Sequence, residues 1–313
     1  MNNLLFSFNV IFPLFVLLFI GNISVKFNWV DKKALNALNK FIFRVPLPLL
    51  LFLGIYNMET VDLQNSIKMI SVILVVLPSV TLVMALIMNK TKIEKPKRAV
   101  IVQAWFRSNI MIFGVPVIQG MYGDAGLPLL STLILVAVPL VNILAVFVLE
   151  GYRGNNVKAS TLIISVIKNP LVDAALLGFI FFILKLTLPE ILITPMTSLS
   201  KTATPLAFII LGGTLEFDSI KKNIKYILFG SLGKLIITPL IIISIAVAIG
   251  LRGMYLGCII ASMASPVAVS SFTMAKEMDG DAPLAAQLVI MTTVLSLVTI
   301  FIWLYVLKTL NLI

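Results

Sequence analysis

Two stretches of the chain hold polar residues inside apolar runs. The first, residues 103–123, reads QAWFRSNIMIFGVPVIQGMYG and carries Arg107, Ser108, Asn109, Gly114 and Pro116. The second, residues 254–278, reads MYLGCIIASMASPVAVSSFTMAKEM and carries Ser262, Ser265, Pro266, Ser270 and Ser271. Each is long enough to cross a bilayer, at about 20 residues per crossing. A proline that interrupts a helix there frees backbone groups that no water can reach, so the break must face protein or a wet cavity. A half-helix N-terminus offers bare N–H groups and the positive end of a dipole, which suits an anion, above all a carboxylate. Asn109 adds an amide donor and the serines add hydroxyls. Arg107 adds a charge that costs roughly 2.5–3.5 kcal/mol to bury in a bilayer and needs a partner or a pocket. The same residues also have a purely structural use, because small polar side chains let helices approach and bond one another. On a regular helix Arg107 and Asn109 point about 200° apart, so they serve one ligand only if the helix is distorted.

Other chemistries find less support. Asp173, in IKNPLVDAALLG, is the clearest acid inside an apolar run, whereas Arg44, Arg107, Lys168 and Lys234 are bases in such runs. That imbalance argues against a multi-carboxylate sodium or calcium site, and Asp173 is expected to pair with Lys168 or Arg44, or to relay a proton. Gly123-Asp124 and Gly280-Asp281 resemble the acids of an intramembrane aspartyl protease, but each closes a span, where a turn takes such residues. Histidine is absent and Cys258 is the lone cysteine, which removes histidine triads, multi-cysteine metal sites and internal disulfides. With no GxxxxGK loop, ATP drive has no support. The sequence calls for no cofactor, no metal and no enzyme.

The elements that must position these residues are membrane spans. Apolar residues make up 60% of the 313 and charged residues 12%, about half the charged share of a soluble domain. The net charge of +11 does not indicate nucleic acid, because the basic residues sit in short loops between apolar runs. The N-terminus, MNNLLFSFNVIFPLFVLLFIGNIS, lacks the basic start and cleavage site of a signal peptide and is expected to be the first span. Ten spans are predicted near 4–24, 37–56, 66–88, 98–121, 127–149, 160–184, 196–215, 223–249, 254–275 and 282–307. Loops after the odd-numbered spans hold most of the basic residues, among them Lys26, Lys33, Lys92, Arg98, Arg153 and Lys276. The opposite side has only Lys68, Lys185, Lys201, Arg252 and Lys308. Basic loops stay in the cytoplasm, so both termini are expected outside it.

The halves look related. One constant offset pairs Pro48 with Pro205, Glu59 with Glu216, Ile67-Lys68 with Ile224-Lys225, and Gly123-Asp124-Ala125 with Gly280-Asp281-Ala282. It divides the chain into a first five-span repeat at 1–150, a short cytoplasmic linker at 151–160 and a second five-span repeat at 161–313. An odd number of spans per repeat makes the second enter the membrane inverted, and inverted repeats exchange conformations around a midplane site at a matched pair of interrupted spans. Span 4 is expected to break at Gly114 and Pro116, and span 9 at Ser265 and Pro266. At the same offset Asn109 meets Pro266, each midway along its span, about 15 Å deep.

Three stretches carry a resemblance: FRSNIMIFGVPVIQGMYG, KNPL at 168–171, and ASPVAVSSFTMAKEMDGDAPLAAQLVIMTT at 264–293. They resemble the auxin efflux carrier family, which includes plant PIN carriers and prokaryotic malonate-permease-like proteins. The resemblance implies an all-α fold of ten transmembrane helices in two inverted repeats, similar to bile-acid sodium symporters, with broken crossing helices 4 and 9. It further implies a scaffold of spans 1, 2, 6 and 7, a transport domain of spans 3–5 and 8–10, a carboxylate beside Asn109, and a homodimer through scaffold helices. Two features depart from the plant pattern: the short loop EGYRGNNVKAS, and Ser270-Ser271 where plant carriers have a second proline.

The sequence reading is thus a multi-pass protein of the cell membrane, in contact with lipid, that carries a small organic anion by alternating access. The binding residues expected are Arg107, Ser108, Asn109, Gly114, Pro116, Ser265, Pro266, Ser270 and Ser271, with Asp173 and Lys168 as a coupling or structural ion pair. The competing reading is a sensor or scaffold that keeps the carrier fold without turnover.

Overall fold

A backbone surrounded by lipid must satisfy its own hydrogen bonds, and this chain does so with helices. The computed structural model describes residues 2–57, 63–153, 170–213 and 223–313, and every regular element among the described residues is helical. Six helical stretches among the described residues are long and apolar enough to cross a membrane: Asn3–Lys26, Lys33–Tyr56, Gln64–Asn89, Ile110–Arg153, Ile224–Ala248 and Ala282–Thr309. Their outward faces are apolar, as on α1 (Asn2–Lys26), where Leu4, Phe8, Phe12, Phe15 and Phe19 are exposed. The interior is where polar residues collect, among them Gln103, Arg107, Asn109, Lys234, Thr292 and Ser296. That inverted distribution is what lipid as the outer solvent selects.

The region predicted as the second span is two helices, α2 (Lys32–Arg44) and α3 (Pro46–Tyr56). The Asp31 side chain caps α2 by accepting from the Ala34 N–H at 2.6 Å. Val45, at φ −128° and ψ −71°, ends it, because Pro46 excludes helical geometry from the preceding residue. Next come α4 (Leu63–Asn89) and α5 (Lys95–Phe106), then α6 (Val115–Tyr122) and α7 (Leu127–Arg153). The last two are joined by a 3-10 turn that Gly123 enters at φ 62°, which a glycine reaches without penalty. The second half holds α8 (Pro170–Ile183), α9 (Glu190–Lys201), α10 (Ala203–Gly213), α11 (Ile224–Leu232), α12 (Thr238–Ala248), α13 (Gly253–Met263), α14 (Ser270–Glu277) and α15 (Ala282–Thr309). Most of the linker expected at 151–160, and the Glu59–Glu216 match, lie outside the described residues.

Two helix pairs pack along their lengths, α1 against α10 and α3 against α8. Both rest on glycine. A Cβ on Gly21 would strike the Ile209 backbone and one on Gly212 the Leu18 backbone, while one on Gly178 would lie 2.9 Å from the Phe52 carbonyl oxygen. Small residues allow this approach, and in lipid such packing is what holds helices together.

Candidate functional site

Two breaks in helices make the site. In the second half the cause is Pro266, which has no N–H for the Ser262 carbonyl. The Ser265 hydroxyl donates to that oxygen instead, at 2.6 Å, and α13 ends at Met263. In the first half α5 ends at Phe106, and Arg107 turns extended at φ −83° and ψ 106°. No proline acts there. The break is held by its counterpart: the Asn109 N–H donates to the Pro266 carbonyl at 2.8 Å and the Ala268 N–H to that of Arg107 at 3.4 Å, which makes an antiparallel bridge between Ser108 and Val267. The chain crosses itself at these residues.

The break expected at Gly114 and Pro116 is thereby corrected. Those residues lie in a helical stretch, a π turn over Ile110–Gly114 that leads directly into α6. Pro116 sits in the first turn of α6, where a missing N–H costs little. Gly114 serves contact, since a Cβ on it would come 3.1 Å from the Ala261 carbonyl oxygen of α13. Neither residue lines the cavity at the crossing.

Extended backbone changes which residues share a face. In a strand-like segment residues two apart point the same way, which brings Arg107 and Asn109 to one side, while the hydroxyl of Ser108 between them is taken by Lys234. The distortion needed to bring Arg107 and Asn109 to one ligand is present. Both line a cavity of about 240 Å³, together with the expected Ser108 and Ser270, Asn142 of α7 and, from α2, Asn39 and Phe43. Arg107 is 3% exposed. It donates to the Asn142 Oδ1 at 2.9 Å and the Ser270 hydroxyl at 3.0 Å, its other terminal nitrogen touches the Met274 sulfur, and its Nε has no partner. The Asn109 Nδ2 is also buried without a partner. Among the described residues no aspartate or glutamate is buried, and none of them answers this charge. The cavity thus presents a guanidinium and an unpartnered amide donor, both groups that bond to anions.

Other expected site residues lie off the cavity. Ser265 is occupied in capping α13, Pro266 contributes its carbonyl to the bridge, and Ser271 is buried with an unpartnered hydroxyl. Asp173, expected inside a span, is exposed in the first turn of α8 and makes no ion pair among the described residues. Lys168 lies outside them. Sequence reasoning missed Asn142, whose signal was one amide in VPLVNILAV, and Asn39 and Phe43, which only the fold brings over from α2.

On the far side of the bridge the Lys234 ammonium donates to the Ser108 hydroxyl and, at 3.1 Å, to the Met263 carbonyl oxygen. A separate cavity of about 580 Å³ lies between the ends of α3, α6 and α9 and the start of α13, with Asn57, Gln119, Asp124, Lys201 and Tyr255 on its walls.

Residues 6–304 match the family model described as membrane transport protein. An uncharacterized transporter of Methanothermobacter thermautotrophicus is 25% identical over 304 residues, covering 95% of this chain and 97% of that one. An uncharacterized transporter of Methanocaldococcus jannaschii is 23% identical over 301 residues, covering 94% and 97%. With nearly its whole length matched, and a broken-helix crossing at its centre, the chain belongs to the membrane transport protein family, that of the auxin efflux and PIN-like carriers.

Proposed function

We propose that this protein is a secondary carrier or facilitator of small organic anions, mono- or dicarboxylates, and that the crossing is its binding site. The observation that carries the reading is the pairing of Arg107 with Asn109 on one cavity wall, both with unpartnered donors and, among the described residues, no buried acid to answer them. The cavity of about 240 Å³ lies at the small end of the range for ligand sites, which suits a small acid. In a negative-inside cell an anion gains about 2.3 kcal/mol per charge per 100 mV on leaving, so export needs no coupling ion and import does.

The mechanism is alternating access between two inverted five-span halves, ten crossings in all. The helix contacts support the inversion. At the offset that pairs Pro48 with Pro205, Gly21 corresponds to Gly178 and Phe52 to Ile209, and Gly21 packs on Ile209 as Gly178 packs on Phe52. These tight pairs, α1 with α10 and α3 with α8, are the scaffold of the proposal. The remaining helices carry the site.

The test is counterflow of radiolabelled malonate, succinate, lactate and indole acetate in proteoliposomes, with and without a pH gradient, for wild type and Asn109→Ala. Saturable counterflow of at least one acid, lost in a folded Asn109→Ala, is expected, and the gradient dependence names the coupling. Absence of flux for every acid from folded protein would overturn the carboxylate reading and favour a sensor.

A further inference from the structure

Lys234 is fully buried, at 0% exposure, on the face of the crossing turned away from the anion cavity. Its ammonium meets the Met263 carbonyl oxygen and the Ser108 hydroxyl, and no buried acid among the described residues stands near it. Met263 is the last residue of α13. In a continuing helix its carbonyl would receive the Val267 N–H, but that N–H is given to the Thr292 hydroxyl at 3.1 Å. A half-helix C-terminus inside a membrane protein presents bare carbonyls and the negative end of a dipole, and such ends coordinate cations. The oxygens around Lys234 are all neutral. That is the environment of a coordinated cation and not of a salt bridge.

The placement is specific. Lys234 lies in a π turn, Gly233–Ile237, which shifts the helical register between α11 and α12. Gly233 leaves room for the indole of Trp105 from α5, on which any Cβ there would land. The helix that ends in the crossing is therefore seated on the turn that aims the ammonium at it.

We propose that Lys234 is a tethered cation filling a cation site at the back of the crossing. It neutralises the end of α13 and fixes Ser108, and through Ser108 it holds Arg107 and Asn109 in the extended register that faces the cavity. The protein then needs no free sodium to order its anion site. Lys234 is a positioning residue, and the purpose assigned to it rests on the anion-carrier reading, but its occupancy of a cation site can be tested without transport.

Purified wild type, Lys234→Ala and Lys234→Met are unfolded thermally in N-methylglucamine chloride and again with sodium, methylammonium or tetramethylammonium chloride. The wild-type midpoint should ignore the cation. Lys234→Ala should fall by about 5 °C and recover at least half of that with sodium or methylammonium, but not with the bulkier tetramethylammonium. Lys234→Met, which fills the space without charge, should fall and stay down. In proteoliposomes, wild-type counterflow should be unchanged without sodium, and that of Lys234→Ala should drop about tenfold and return with methylammonium. Sodium dependence of the wild type, in midpoint or in flux, overturns the proposal, as does a Lys234→Ala midpoint indifferent to every cation. If neither variant folds, the sodium titration of the wild type decides. If no acid is transported, the midpoints still decide, so failure of the carrier reading is distinguishable from failure of the tether.

Discussion

A buried guanidinium with no buried acid beside it among the described residues is stable only while dipoles or an incoming anion share its charge. Arg107 has two such dipoles, the Asn142 amide oxygen and the Ser270 hydroxyl, and an Nε left over. Both bonds leave one terminal nitrogen, so the Nε–H is left over for a ligand, and a lysine has no second nitrogen to offer. Arg107→Lys should raise the apparent KM for the transported acid about tenfold, as read from the concentration dependence of counterflow, with Asn142→Ala giving a smaller rise. Arg107 and Asn109 were legible in the sequence because polar residues stand out in an apolar run. Their shared orientation was not, because helical periodicity separates residues that an extended segment brings together. Lys234 was visible as a base in an apolar run, yet nothing local to it pointed to Ser108, far away in the chain.

Among elements, the prolines were uneven guides. Pro266 does end a helix, while Pro116 starts one, because a π turn and a first-turn position absorb its missing N–H. The break in the first half has no proline and is made by pairing with the second, a long-range cause that local sequence cannot announce. The glycine contacts also depend on partners far away in the chain, and their energetic weight follows from the space they leave. Gly21→Leu would drive a side chain into the Ile209 backbone, and overpacking of this kind costs about 1–3 kcal/mol. The expected result is a lower melting midpoint in detergent and reduced yield of folded protein. A leucine at exposed Gly151, which has nothing within 4 Å of its Cβ position, should leave both unchanged.

For the whole molecule, the distribution of basic loops predicts the sidedness. Cys258, the native thiol, is buried, so single cysteines can be introduced against a quiet background. On intact cells a membrane-impermeant maleimide should label Lys201→Cys, beside the larger cavity, and should reach Lys92→Cys only after permeabilisation. The reverse pattern would invert the topology. The crossing itself has a kinetic consequence. Its two segments are stapled by a pair of buried backbone hydrogen bonds, Asn109 to Pro266 and Ala268 to Arg107, which no solvent stands ready to replace. Any motion that exposes the cavity first to one compartment and then to the other must carry this knot intact, and the ligand meets the same donors on either side. In the carrier proposed above these binding residues are common to both faces, and any asymmetry in affinity has to come from the helices that open and close around them.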